Sequence, residues 1–247
     1  MGGLIDRLPI LLEEAEEDIY FLREGANNVE KDKNGSFSNN LANLLRFVGV
    51  AQYVINADKQ AFIKALQESA NIRIKIIERF DNGEPISKSY VSVIAYKHLF
   101  SALSSGDFEL SIRLASLVGG RKEIETEYDH PFDIAFGYAL KAMVLNSVDQ
   151  EEQVMRLRAI ASESENKDFI CYANAFSAIQ KNDSDLFMSA INEVISAHKR
   201  QSIGNGVFKG LEDEVLCVWG IGLVNLAKQR GIECVLDNHL IPSILSR

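Results

Sequence analysis

The sequence predicts an all-α protein, built as an irregular TPR-like α/α array of antiparallel helix pairs. Apolar residues recur at helical spacing along most of the chain, and only 4 of its 247 residues are proline, a residue that interrupts helices. A segment with the pattern helix, short turn, helix also occurs more than once. Such pairs bury their apolar faces by stacking on one another. The signature residues of tetratricopeptide repeats are missing, so the likeness is one of architecture.

We expect a single domain over residues 1–247, in which N-terminal helices within 4–80 pack on an array of helix pairs over 87–245. Apolar residues make up 47% of the chain, which is typical of a globular protein of this length with a sizeable core. No shift in composition marks a second domain.

The first predicted helix covers about 4–25 and is amphipathic. Its apolar positions keep the helical spacing, and Glu13 and Glu17 belong to an acidic outer face. The polar stretch 27–40 is predicted to be a loop. Ser38 is then the expected N-cap of the second helix, because a serine side chain can accept a hydrogen bond from the first helical amides.

Aspartates are predicted to begin several later helices. The segments 100–110 and 176–186 align without a gap and share Phe-Ser-Ala, followed after a short turn by Asp. Asp is a favoured N-cap, and Glu152 would close a capping box with Asp149. The predicted caps are Asp58, Asp107, Asp149 and Asp183.

Further helices are predicted at about 132–146, 150–163, 167–180 and 184–201. Pro131 suits the first helical position, where its missing amide hydrogen has no cost, with Asp129 or His130 as the cap. The glycine-rich segment 204–210 is interpreted as a connector, because it lacks the strand and the Lys-Ser/Thr ending of a phosphate loop.

The most apolar stretch, 211–231, is predicted to be a central helix. It is apolar on nearly every side, so other helices have to cover it all round. Glu212, Asp213 and Glu214 would form its first turn, where the helix dipole favours anions, and Gly231 would end it. Its apolar run is shorter than the roughly 20 residues of a membrane span.

The net charge of −9 points to the class of partner. An acidic surface repels nucleic acid and anionic membranes, so neither is predicted, and a basic protein is the electrostatically favoured partner. The alternative is that the acidity only keeps the protein in solution.

Neither a cofactor nor a metal is predicted. The three cysteines form no CxxC or Cys–His cluster, which argues against a zinc site or a disulfide framework and favours a reducing compartment. No basic segment followed by a long apolar run opens the sequence, so no secretory signal is expected. We therefore expect a cytoplasmic protein.

The segment 121–130 crowds acidic residues together with a tyrosine and a histidine. One interpretation is a solvated surface loop, and another is a contact surface for a basic protein. Catalysis or metal binding would need a cleft or a ligand spacing that the segment lacks. The four histidines are scattered, with His98 and His198 on or beside apolar stripes, as core histidines are. No nucleophile motif is present, so no enzyme is predicted.

Several helical motifs resemble a known family over residues 90–245. They are Ser101-Ala102-Leu103, Gly106-Asp107, Glu214-Val215, Trp219-Gly220-Ile221-Gly222-Leu223, Leu226-Ala227, Arg230-Gly231 and Ile241-Pro242. This set is similar to the immunity protein 49 family of bacterial polymorphic toxin systems. The resemblance implies an all-helical cytoplasmic protein, encoded beside a toxin, that protects its producer by binding the toxin domain. It transfers no catalytic residue.

The predicted function is that of an immunity protein, which neutralises a cognate toxin by direct non-covalent binding. The expected toxin contacts are Glu123, Glu125, Glu127, Asp129, Glu13 and Glu17. One alternative is a TPR-like adaptor or chaperone that binds a peptide or protein in a helical groove. Another is an enzyme that uses Tyr128, Asp129 and His130, which requires His130 to face a pocket with other polar groups. A deep polar cavity that gathers histidines and carboxylates would argue against a pure binding protein.

Overall fold

The computed structural model describes residues 3–163, 165–236 and 238–246. Helix accounts for 73% of the described residues, and these residues contain no β-strand, which confirms the predicted all-α fold. Their eleven α-helices are α1 (Leu4–Ala26), α2 (Ser36–Asn56), α3 (Lys59–Asp81), α4 (Tyr96–Ser104), α5 (Phe108–Leu117), α6 (Lys122–Tyr128), α7 (Pro131–Leu145), α8 (Gln150–Ala161), α9 (Ile170–Lys181), α10 (Ser184–Gln201) and α11 (Val218–Gln229). Short 3-10 turns lie at Lys88–Tyr90, Val93–Ala95, Lys167–Phe169, Glu212–Glu214 and Ser243–Leu245.

Helices that are consecutive in sequence pack against each other along most of the chain. The pairs α1 and α2, α2 and α3, α4 and α5, α7 and α8, and α9 and α10 are all in contact, as expected for an array of helix pairs. The last helix departs from this order, because α11 returns to pack on α4. None of the helices in the described ranges is long and apolar enough to cross a membrane.

The helix α11 is buried on every side. Every residue over 218–227 is buried, as its all-round apolar pattern predicts. Gly222 allows α4 to come close, because a Cβ there would lie 3.0 Å from Phe100 Cδ1 and 3.2 Å from Leu103 Cβ. Asn225 adds a polar link, since its Nδ2 donates to the Leu103 carbonyl oxygen at 2.9 Å. The central position predicted for this helix is therefore confirmed.

The predicted start of the same helix is wrong, and its predicted end is right. Glu212–Glu214 form a 3-10 turn, and α11 begins at Val218. Asp213 is buried in that turn, with its carboxylate 3.2 Å from the guanidinium of Arg46 in α2. A long-range ion pair, rather than the dipole of α11, therefore determines where this carboxylate lies. At the other end, Gly231 has φ +82° and follows the last turn.

Three of the four predicted aspartate caps are confirmed. Asp58, Asp107 and Asp183 each accept a hydrogen bond from the backbone amide three residues later, at 2.9–3.0 Å. The residue before each aspartate has a left-handed backbone conformation, with φ between 51° and 74°. The repeated sequence pattern thus encodes one repeated turn geometry.

Two other predicted caps are wrong. Asp149 stands at the N-cap position of α8, but its carboxylate accepts from neighbouring side chains, so it makes no capping box with Glu152. Ser38 lies inside α2, which begins at Ser36. Its amide and hydroxyl both donate to the carboxylate of Asp32, at 3.0 and 2.6 Å. The first amides of α2 therefore find acceptors in Asn34 and Asp32, which both belong to the segment predicted to be a loop.

The start of α7 follows the sequence closely. Pro131 is its first residue, and His130 caps it by accepting a hydrogen bond at Nδ1 from the amide of Phe132, at 3.2 Å. Of the two predicted cap residues, His130 is thus the one that serves.

Aromatic rings form the centre of the main core around Trp219. The indole stacks on Phe100 with ring centroids 5.1 Å apart and only 6° between the planes. The other rings around it, at 5.4–6.4 Å, are Tyr96, Phe136, Phe169, Tyr172 and Phe208. Helices α4, α7, α9 and α11 are joined at this point.

The confirmed caps predict a contrast between two aspartates. Replacing Asp183 by Ala removes an acceptor for the Leu186 amide and should lower the free energy of unfolding by about 1 kcal/mol. Asp149→Ala breaks no capping hydrogen bond, so it should lower the free energy of unfolding by less. Urea denaturation of the two variants beside the parent protein measures this. Equal losses would mean that the cap bond of Asp183 contributes nothing.

Candidate functional site

The candidate site is a cleft of about 470 Å³ at which the starts of α4, α7 and α11 meet. Parts of α2, the end of α10 and the turns before α9 and α11 complete its walls. We call it the central cleft. It is lined by Asn43, Arg46, Tyr96, Lys97, His130, Phe132, Asp133, Glu165, Asn166, Phe169, Gln201, Val207, Phe208, Leu211, Glu212, Asp213 and Trp219.

Aromatic residues provide much of the apolar surface of the central cleft. Tyr96, Phe132, Phe169, Phe208 and Trp219 all line it and are all buried in the core. The cleft wall is therefore fixed by core packing. Such a wall suits a ligand or side chain that is flat or apolar over part of its surface.

Carboxylates outnumber cations in the central cleft. Four of the lining residues are acidic, and two, Arg46 and Lys97, are basic. The Arg46 guanidinium lies 2.9 Å from Glu212 Oε1 and 3.2 Å from Asp213 Oδ2. One guanidinium is thus shared by two carboxylates, so the cleft keeps an excess of negative charge.

The carboxyl of Asp213 responds to this excess. It is 4% exposed. Burial, and next the negative charge of Glu212, raise the pKa of Asp213 above its ordinary value of 3.8, although Arg46 and Lys97 act in the opposite direction. Its Oδ1 has no hydrogen-bond partner among the described residues. A cation that entered the cleft would favour the ionised form of this carboxyl.

Three buried nitrogen donors in the cleft also lack hydrogen-bond partners among the described residues. They are Nε of Arg46, Nδ2 of Asn166 and Nε1 of Trp219. Leaving a buried donor unpaired is costly. These three nitrogens are closed to solvent, however, so an occupant of the cleft would meet the carboxylates rather than these donors. A basic side chain on a peptide segment would suit those carboxylates.

His130 lines the same cleft, so the requirement for an enzyme that uses His130 is met in part. Its Nδ1 accepts the amide hydrogen of Phe132, which leaves Nε2 to carry the proton of a neutral ring. None of the described carboxylates is hydrogen-bonded to it. The imidazole is therefore held as a helix cap, without the orienting carboxylate of a catalytic triad.

The other histidines lie outside the central cleft. His98 and His198 are 3% and 2% exposed, so both are buried as predicted, but neither ring nitrogen of His198 has a hydrogen-bond partner among the described residues. Burial lowers the pKa of His198 to about 4. Its ring packs against Phe208, with the two ring centroids 4.7 Å apart. His239 is exposed. The cleft thus gathers carboxylates with one histidine.

The acidic segment predicted as a loop is largely the helix α6, and its acidic residues divide into two groups. Glu123 and Glu127 are exposed. Glu125 is buried, and its carboxylate accepts from the Arg121 amide at 2.8 Å and the Tyr138 hydroxyl at 3.0 Å. A helical conformation turns alternate acidic residues to different sides.

The half-buried Asp129 also has an internal partner. Its carboxylate accepts from the Ser92 hydroxyl at 2.8 Å and the Val93 amide at 2.9 Å. This anchors the 3-10 turn at Val93–Ala95. Glu125 and Asp129 therefore bind parts of the chain itself, which leaves Glu123 and Glu127 as the freely exposed carboxylates of the segment.

Glu13 and Glu17 lie on the exposed face of α1, as predicted. None of the six residues predicted as toxin contacts lines the central cleft. The sequence carried one signal for the cleft: Arg46 interrupts the buried face of α2. A charge at such a position is rarely buried unless it is paired, but its partners, Glu212 and Asp213, are far away in the chain.

No group of three or more His, Cys, Asp or Glu side chains within the described ranges could hold a metal ion. The three cysteines are free and buried. No family model matches the chain, and no curated protein or solved structure matches it.

The raised pKa of Asp213 predicts how stability depends on pH. The folded state holds this proton at a pH where the unfolded chain has lost it, so folding stability falls as the pH rises from 3.8 through the folded-state pKa. Asp213→Asn removes this dependence. Relative to that variant, the parent should lose about 1 kcal/mol or more between about pH 5 and pH 8.

Urea unfolding across this pH range measures the difference between the two proteins. Glu123→Gln, which changes an exposed carboxylate, is the control and should follow the parent. Parallel curves for the parent and Asp213→Asn would contradict a raised pKa.

Proposed function

We propose that the protein is an immunity protein, which neutralises a cognate toxin by direct non-covalent binding. The observation that carries the proposal is the central cleft, whose lining combines four acidic residues and two basic ones with an aromatic wall. In this proposal, a basic side chain and the adjacent backbone of the toxin occupy the cleft. The resemblance to the immunity protein 49 family supplies the class of partner, together with a cytoplasmic location.

Charge complementarity supports a basic partner. The chain carries a net charge of −9, which would attract a positively charged domain and speed its encounter. Within the cleft, an arriving cation would supplement Arg46, which lies between Glu212 and Asp213. Long-range attraction and local pairing therefore favour the same class of partner.

The rim of the cleft supports a protein as the occupant. Val207 and Leu211 line the cleft and are 55% and 49% exposed, and Ile203 nearby in the chain is 66% exposed. Exposed apolar side chains that border a pocket are common at protein interfaces. A folded partner could cover this rim while it inserts one side chain, as an interface anchor does.

The proposal is tested with the product of the neighbouring gene as the partner. Glu165 is exposed in the cleft wall, so Glu165→Lys should not disturb the core. It should weaken the complex by at least about tenfold, and Leu211→Asp should do the same at the rim. The measurements are affinity of the purified complex and rescue of growth when both proteins are expressed.

Glu17→Lys and Glu127→Lys are matched controls, because they make the same charge change at exposed sites outside the cleft. Both should bind like the parent. If they weaken the complex and Glu165→Lys does not, the contact surface is the one predicted from the sequence, and the cleft is not the binding site. If no complex forms and deletion of the gene leaves cells insensitive to the neighbour, the function itself is wrong.

An adaptor or chaperone that binds peptides remains the alternative from the sequence. The cleft is local, at about 470 Å³, whereas a peptide groove would extend along the helical array. The same affinity measurement separates the two functions. Short basic peptides that bind as tightly as the folded partner would favour the adaptor.

Catalysis is a second candidate, favoured by the presence of His130 together with Asp133 and Lys97 among the residues that line the cleft. A binding protein should keep its protective effect in His130→Ala, because the proposed contacts are made by carboxylates and apolar residues. Growth rescue and complex formation are measured together. Loss of protection in a variant that still forms the complex would indicate an enzyme.

A further inference from the structure

Beside the central cleft lies a smaller recess that is lined by cations without a carboxylate. Its volume is about 210 Å³. We call it the basic recess, and its main polar residues are Asn39, Asn43, Arg46, Arg73, Lys97 and His98. Arg46 and Lys97 line both the recess and the central cleft. Lys97 is half-buried and Asn43 is exposed, so the recess is open to solvent.

Arg73 brings a buried positive charge to the recess. The residue is 4% exposed. Its guanidinium donates to the Tyr90 carbonyl oxygen at 2.7 Å and to the side-chain oxygen of Asn39 at 2.8 Å. A third contact joins Nη2 to Nε2 of His98 at 2.9 Å. Nε of Arg73 has no partner in the described part of the chain.

The histidine that contacts Arg73 is neutral. The Ser69 hydroxyl donates its single hydrogen to the Ala42 carbonyl oxygen at 2.7 Å. Its contact with Nδ1 of His98, at 3.0 Å, therefore needs the hydrogen on Nδ1. Nε2 then has a lone pair and accepts from Arg73. All three acceptors of the guanidinium are thus uncharged.

The charges around the recess repel one another. Burial, and next the charge of Arg46, lower the pKa of Arg73 to about 10, so it stays a cation at neutral pH. Burial, followed by Arg73, Arg46 and Lys97, lowers the pKa of His98 well below its usual value. The carboxylates that neutralise Arg46 line the cleft and not the recess.

We infer that the basic recess binds an oxyanion, namely the phosphate or carboxylate group of a small ligand. A buried cation is normally paired with an anion, and Arg73 has none within the described residues. Arg46 brings a second guanidinium to the recess, although its Nη2 also contacts Glu212 and Asp213 on the cleft side. Two guanidinium groups and an ammonium suit the several acceptor oxygens of such a group. The inference does not depend on the proposed toxin partner.

The experiment uses the full chain with inorganic phosphate and acetate as separate probes. Tm and calorimetric binding are measured at constant ionic strength, with sodium chloride as the balancing salt. We expect saturable binding of at least one probe, and the comparison of the two shows whether phosphate or carboxylate fits better. The absence of saturable binding by both would overturn the inference.

Lys97→Gln is the main variant, because the Lys97 ammonium makes no ion pair within the described residues and its loss should not unfold the protein. It should weaken oxyanion binding by about tenfold. Lys75→Gln removes the same charge from an exposed site on α3 and should leave binding unchanged. If the two variants weaken anion binding equally, the affinity depends on net charge alone. That result would also overturn the inference.

Nuclear magnetic resonance of the imidazole nitrogens locates the bound anion. His98 lies in the recess wall and His239 is exposed elsewhere. Binding in the recess should shift the resonances of His98 and leave those of His239 in place. If an anion binds saturably but shifts the resonances of neither histidine, it is bound at another site, and the inference is contradicted.

Discussion

The stacking of Trp219 on Phe100 is the contact on which both the core and the central cleft depend. It fixes α11 against α4, with the ring planes only 6° apart, and rings from α7 and α9 close around the pair. Because Trp219 also lines the cleft, the residue that organises the core is part of the candidate site. The aromatic part of the cleft wall is therefore held by core packing, which favours a preformed binding surface on that side.

The central cleft and the basic recess are lined by buried charged residues whose hydrogen-bonding groups are not all paired within the described chain. Elsewhere, buried charges are matched: Asp32 binds both Arg79 and Ser38, and Glu125 accepts from Tyr138. By contrast, Arg46 and Arg73 each keep an unpaired buried Nε. Unpaired groups of this kind lower stability. Unpaired uncharged groups also occur elsewhere, for example on Tyr172 and His198. The reason to expect occupants is therefore charge: Arg73 has no anionic partner among the described residues, and carboxylates outnumber cations in the cleft.

Local patterns in the sequence were sufficient for the helices and for several of their ends. The cap made by Asp107 or Asp183 depends on an amide three residues away, so a short segment contains all the information. Asp213 is different, because its partner Arg46 is 167 residues distant. Read locally, three acidic residues before an apolar run resemble the first turn of a helix, and the sequence therefore predicted the wrong start for α11.

Because only local patterns can be recognised in the sequence, the central cleft was not predicted. The acidic segment was visible because its residues are neighbours in sequence, yet folding engages Glu125 and Asp129 with Tyr138 and Ser92. The cleft joins residues from many segments, and only tertiary packing brings Arg46 beside Glu212. A charge inside an apolar helix face was the available signal. It indicates that a buried partner exists without identifying that partner.

Arg46 also links the two proposed occupants. It lies between the carboxylates of the central cleft and the cations of the basic recess. An oxyanion in the recess would compete for its guanidinium and leave Glu212 and Asp213 less neutralised. Those carboxylates would then attract a basic side chain more strongly, so the anion and the basic partner should favour each other's binding. Because such coupling is reciprocal, a bound partner would tighten the anion by the same factor.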